Sequence, residues 1–101
     1  MFWNETFLGN LRQHIAGQIS AFQYCTGGEW HNADILSKSV IGNDIVLLVC
    51  ITAQESFVIS GVRIVDENSN TIGQTEENIT KKTDALTVEW KFPVYEIQEV
   101  I

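Results

Sequence analysis

Leu86-Thr87-Val88-Glu89-Trp90-Lys91-Phe92-Pro93-Val94 places large apolar residues at every second position, the period-two pattern of a β-strand with one dry face. Leu86, Val88, Trp90, Phe92 and Val94 fall on that face, and Thr87, Glu89, Lys91, Pro93 and Tyr95 fall on the other. A chain whose clearest signal is a half-buried strand reads as a sheet protein. Pro93 has no N–H to give to a ladder, which favours an edge position or a strand end for this part of the segment. An edge strand invites pairing with another chain.

Working back along the chain, other segments supply partners for this strand. Phe57 to Val65 is rich in β-branched residues, and Asp66-Glu67-Asn68-Ser69-Asn70 carries the turn chemistry that ends it before a short return over Thr71 to Gln74. Ile45 to Ile51 is almost continuously apolar, which predicts a strand buried on both faces at the centre of the core. Gly42-Asn43-Asp44 punctuates the chain before it. Further upstream, Phe22, Tyr24 and Thr26 alternate with Ala21, Gln23 and Cys25 up to a turn at Gly27-Gly28, and a hairpin return follows through Trp30 to Leu36.

The first residues break from this period. Asn4 can cap a helix whose apolar side carries Phe7, Leu8, Leu11 and Ile15 at spacings of three and four. Gly9 and Gly17 weaken that helix, so its apolar side must dock on the sheet or on another copy of the chain. With turn clusters at short intervals and no repeat or linker, the pattern predicts a mainly β fold. The expected architecture is an antiparallel β-sandwich of about six to seven strands with one short N-terminal α-helix. Residues 1–101 read as a single domain, with the helix over about 4–17 and the sandwich over about 19–98.

The charge balance narrows the partners. Thirteen acidic residues against six basic ones give a formal charge of −7, which opposes binding to phosphate backbones, so no nucleic-acid partner is expected. The Ile45 to Ile51 run is far too short to cross a bilayer, so no membrane partner is expected either. The opening Met1-Phe2-Trp3-Asn4-Glu5 has no positive leader region, and synthesis in the cytoplasm is the expectation. Cys25 and Cys50 are too few and too far apart for a disulfide scaffold or a paired-cysteine site, and they read as buried free thiols.

Candidate sites are sparse. Asp66, Asn68 and Asn70 with Glu77 overlap the spacing of a calcium loop, but Thr71 stands where that loop needs glycine and the flanks read as strands. A solvated hairpin turn is the favoured reading of these residues, and no metal is assigned. His14 and His31 have no second ligand at a metal spacing, no serine lies in a nucleophile-elbow pattern, and no glycine cluster forms a phosphate loop. No cofactor and no catalytic residue is therefore assigned. Trp30, between Glu29 and His31, and Tyr95, opposite the dry face, are the aromatic residues freest to form a binding platform for a sugar. The surfaces expected to meet a partner are the helix face of Leu8, Leu11 and Ile15 and the final segment with Pro93, Tyr95 and Ile97.

Several of these features recur together. The helix from Leu8 to Ile19, the glycine turn near Gly27 and the apolar strand Ile45 to Ile51 are followed by Ile59-Ser60-Gly61-Val62-Arg63-Ile64-Val65-Asp66. Thr71-Ile72-Gly73, Asn78-Ile79-Thr80, the Thr83-Asp84 turn and the closing strand from Leu86 to Glu96 complete the layout. In this order the chain resembles small proteins from the tail and lysis gene neighbourhoods of phages and prophages of Gram-positive bacteria. The resemblance implies a non-enzymatic structural or assembly role through homo-oligomer contacts or other phage proteins, with association to the virion. The alternative it leaves is a phage-encoded binding protein that inhibits a host defence protein or sequesters its small-molecule signal. A carbohydrate-binding sandwich is third.

Overall fold

The computed structural model describes residues 2–94. One helix, α1 (Glu5–Gln18), precedes six strands: β1 (Ala21–Thr26), β2 (Glu29–Ile41), β3 (Asp44–Ile51), β4 (Phe57–Val65), β5 (Thr71–Lys81) and β6 (Leu86–Pro93). All six belong to one antiparallel sheet in the order β5-β4-β1-β2-β3-β6. The expected mainly β fold with one helix is present, but the sandwich is corrected to a single sheet curled into a half-barrel.

The reason lies in β2. Its 13 residues are enough to serve two neighbours in succession, so Glu29 to Ala33 pair with β1 and Asp34 to Ile41 pair with β3. Where the partner changes, the register slips between Ile35 and Ser37, leaving Leu36 as the extra residue of a bulge. Bulges bend and twist a strand, and this one curls the sheet without splitting it in two. The slip also turns Leu36 outward, where it is exposed. Two tight turns fix the hairpins on either side of β2. Gly27 and Gly28 have φ of 59° and 80°, as a type I′ turn requires, and Gly42 at 59° opens the β2–β3 turn.

The concave face carries the core. Phe22 and Tyr24 of β1, Ala33 of β2, Ile45, Leu47, Val49 and Ile51 of β3, and Ile59, Val62 and Ile64 of β4 are buried together, with Ile35, Ile79 and the β6 residues Leu86, Val88, Trp90 and Phe92 packed against them. The expectation for Ile45 to Ile51 also holds on the outer side, where Val46 is buried and Leu48 and Cys50 are half-buried.

The helix joins this core at one end of the half-barrel. The Asn4 side chain accepts from the Thr6 amide at 2.8 Å and starts the helix. Ala16 and Ile19 enter the core cluster, with Ile15 beside them. Two long cations fasten the join. Lys38 Nζ donates to the Ile19 carbonyl at 3.0 Å, at the end of the helix where the dipole favours a positive charge. Arg12, buried, donates from Nε to the Val94 carbonyl at 2.7 Å, just past β6.

Candidate functional site

An open sheet has two edges, and here they are β5 and β6. The curl brings them toward each other and leaves a cavity of about 110 Å³ between them, lined by Phe22, Val62, Ile64, Gly73, Thr75 and Phe92 among others. Alternation puts Leu86, Val88, Trp90 and Phe92 on the inner side of β6, and all four remain half-buried. Gly73 contributes to the opening from the other side. A Cβ placed on it would lie 3.7 Å from Ile64 Cγ1, an ordinary contact, so a larger residue there would grow into the cavity. Among the described residues this arrangement leaves the outer backbone groups of two strands without a strand neighbour and an apolar hole beside them, the chemistry that recognises an added strand.

β5 differs from β6 in charge. From Thr71 to Thr80 it contains Glu76 and Glu77 and no basic residue, and its last residue, Lys81, is buried. Glu77 is half-buried, and among the described residues neither glutamate is ion-paired. On β6, Glu89 and Lys91 face each other at 3.6 Å in the exposed row. Pro93 is the last residue of β6, opposite Asp44. Tyr95 and Ile97 lie outside the described residues.

The helix face divides differently from the expected one. Leu8 is 5% exposed, and Ile15 packs against the core, whereas Leu11 at 37% and Phe7 at 49% face outward. Trp3 stacks on Phe7 with ring centroids 5.2 Å apart, and Phe2 meets Trp3 edge-on at 4.8 Å. The four-residue spacing of Trp3, Phe7 and Leu11 is the sequence signal for this second stripe. It runs beside the buried stripe of Leu8, Arg12 and Ala16.

Trp30 lies on the convex face beside Gly61, whose Cβ would come within 3.5 Å of the indole. The Arg63 guanidinium covers the Trp30 ring at 4.2 Å and donates from Nε to Gln23 Oε1 at 2.7 Å. Gln23 in turn donates to Asn32 Oδ1 at 2.8 Å. A sugar stacking on that face would have to displace the arginine. The candidate calcium residues are also occupied locally. Asp66 Oδ1 accepts from the amides of Asn68 and Asn70, both at 2.9 Å, and these bonds hold its carboxyl below the usual carboxylate range. Glu77 stands apart on β5. Among the described residues no three His, Cys, Asp or Glu side chains are grouped to hold a metal ion.

At the end of the half-barrel away from the helix, a stack of groups runs inward from the surface. His31 lies on Tyr24 at 5.5 Å, Tyr24 on Phe57 at 5.7 Å and nearly parallel, and the Lys81 ammonium sits 5.2 Å from the Phe57 ring. Burial raises the Tyr24 phenol above its ordinary value, and the charge of Glu55 adds to the effect. Lys81 is only 1% exposed and donates to the carbonyls of Glu55 and Lys82 at 3.1 and 2.8 Å. Nothing in the Lys81-Lys82 pair distinguishes the buried lysine from the exposed one, so local sequence could not reveal this clamp.

No helix among the described residues is long and apolar enough to cross a membrane. Compared with protein-family models, curated proteins and solved structures, the chain matches none.

Proposed function

We propose that the chain is a non-enzymatic assembly protein of a phage or prophage, joined to its neighbours through strand addition at the free edges of its half-barrel. The observation that carries this reading is the pair of edges, β5 and β6, that have no outer neighbour among the described residues and flank an apolar cavity. Leaving such edges open exposes a protein to unwanted pairing, and a partner strand would complete the backbone hydrogen bonds and fill the cavity together. The exposed aromatic and aliphatic face of Phe7 and Leu11 offers a second contact. The phage context comes from the resemblance in layout and includes association with the virion. Among the partners are further copies of this chain and other particle proteins.

Light scattering tests the proposal on the purified chain across a concentration series and on mixtures with the proteins encoded beside its gene. The expected result is a mass above that of the monomer, alone or in one mixture. A monomer under every condition would overturn it.

A further inference from the structure

We infer that the β5 edge receives an extended strand from a different protein, one carrying a basic residue and an aliphatic residue four positions apart. This rests on the assembly reading and names the partner at one of its two edges.

Three features of β5 set these requirements. Its 11 residues pair only with β4 among the described strands, leaving its outer backbone groups for a newcomer. Next to Gly73 and Thr75 the cavity of about 110 Å³ is lined by Phe22, Val62, Ile64 and Phe92. A cavity of roughly 150 Å³ holds a benzene ring, so this one suits a single branched aliphatic side chain. Four residues further along the same strand stands half-buried Glu77, with exposed Glu76 beside it. Positions two and four apart share a face of a strand, and four steps span about 13 Å. A strand lying on β5 with an aliphatic side chain in the cavity therefore brings a residue four positions away to Glu77. A lysine or arginine there meets a carboxylate, that of Glu77, that has no ion-pair partner among the described residues. In antiparallel pairing the basic residue precedes the aliphatic one, and in parallel pairing it follows.

Charge also decides against this chain as its own partner at β5. Two copies of β5 laid edge to edge bring four glutamates together and offer Glu77 no basic partner from Thr71 to Thr80, and in the registers that oppose residues 76 and 77 like charges fall across the strand pair, which is unfavourable. The segment Tyr95 to Ile101 carries Glu96 and Glu99 and no basic residue, so it meets the same repulsion. A partner with basic residues is drawn toward a chain of formal charge −7.

Selection of a displayed library of random octapeptides on the full chain tests the inference, with Gly73→Val and Glu77→Lys as paired controls. The added Cβ meets Ile64 Cγ1 at an ordinary 3.7 Å and the valine methyls take up space beside the cavity, and both variants are first checked for an unchanged melting temperature. The expected peptides share the basic and aliphatic pair at a spacing of four. They bind Gly73→Val at least about tenfold more weakly, and Glu77→Lys selects acidic residues at the basic position. Peptides that bind both variants as well as the parent chain would overturn the β5 inference while leaving assembly at β6 standing. Failure to enrich any peptide would count against both, unless light scattering has already shown assembly, in which case β5 alone is excluded.

Discussion

The rings of Phe22 on β1 and Trp90 on β6 lie with centroids 5.5 Å apart, although two strands, β2 and β3, stand between theirs in the sheet. Neighbouring strands are spaced by about 4.8 Å, so across a flat sheet three steps would hold these rings about 14 Å apart. Their contact measures the curl. Phe22 is fully buried, and Phe22→Ala is expected to cost about 3–5 kcal/mol in urea unfolding. A double-mutant cycle with Trp90→Ala is expected to give a coupling of about 0.5–1.5 kcal/mol. A coupling of zero would mean that β6 does not fold back over β1 in solution.

Lys81 gives a second stability test. Its ammonium joins the loop before β4 to the loop after β5 through the Glu55 and Lys82 carbonyls, and Ser56 Oγ donates back to the Lys81 carbonyl at 3.2 Å. Lys81→Met keeps the apolar stem and removes the donors. The expected loss is about 1–3 kcal/mol, with no change in the denaturant slope. Unaltered stability would show that the loops hold without the clamp.

The Tyr24 phenol predicts a loss of stability at alkaline pH. Its neutral form is favoured in the folded chain by burial first and by Glu55 second. The unfolded phenol ionises near pH 10, so stability is constant below that pH and falls as pH rises past it toward the folded value. In Tyr95→Phe, where Tyr24 is the only tyrosine, ultraviolet absorbance is expected to titrate above the ordinary phenol value. Glu55→Gln should lower that midpoint part of the way. A Tyr24 midpoint at the ordinary value would contradict the burial argument.

Asp66 predicts the opposite behaviour in acid. Its carboxyl is held low by hydrogen bonds from the Asn70 and Asn68 amides. The stabilisation is fully present above the unfolded value near 4 and disappears as pH falls through the folded value. Thermal melts of Asp66→Asn should show a shallower acid dependence than the parent chain. An identical acid limb in both proteins would remove Asp66 from the account.

The elements that local pattern controls were legible in the sequence. The alternation at Leu86 to Phe92, the apolar run at Ile45 to Ile51, the Gly27-Gly28 turn and the Asn4 cap each act within a few residues, and each appears where expected. The single sheet was not legible, because it depends on β2 running on through a bulge at Leu36 to a second neighbour. Nor does the period-two pattern say which residues fall on either side of a gap. Gly73 is one residue of an expected short return over Thr71 to Gln74, and only the curl sets it across the cavity from Phe92. Trp30 seemed free because its neighbours are polar, and only the fold shows Arg63 lying over it. The helix face was legible in part, since Leu8 and Ile15 pack inward as the spacing expects while Phe7 and Leu11 face out.

Residue-resolved amide hydrogen exchange on β5 and β6, in the isolated chain and in its assembled state, tests the central claim most directly. The open half-barrel predicts that amides directed away from the sheet along both edges exchange fast in the isolated chain, and that at least one of these sets becomes protected on assembly. Edge amides already protected in the isolated monomer, or still fast in the assembly, would contradict it.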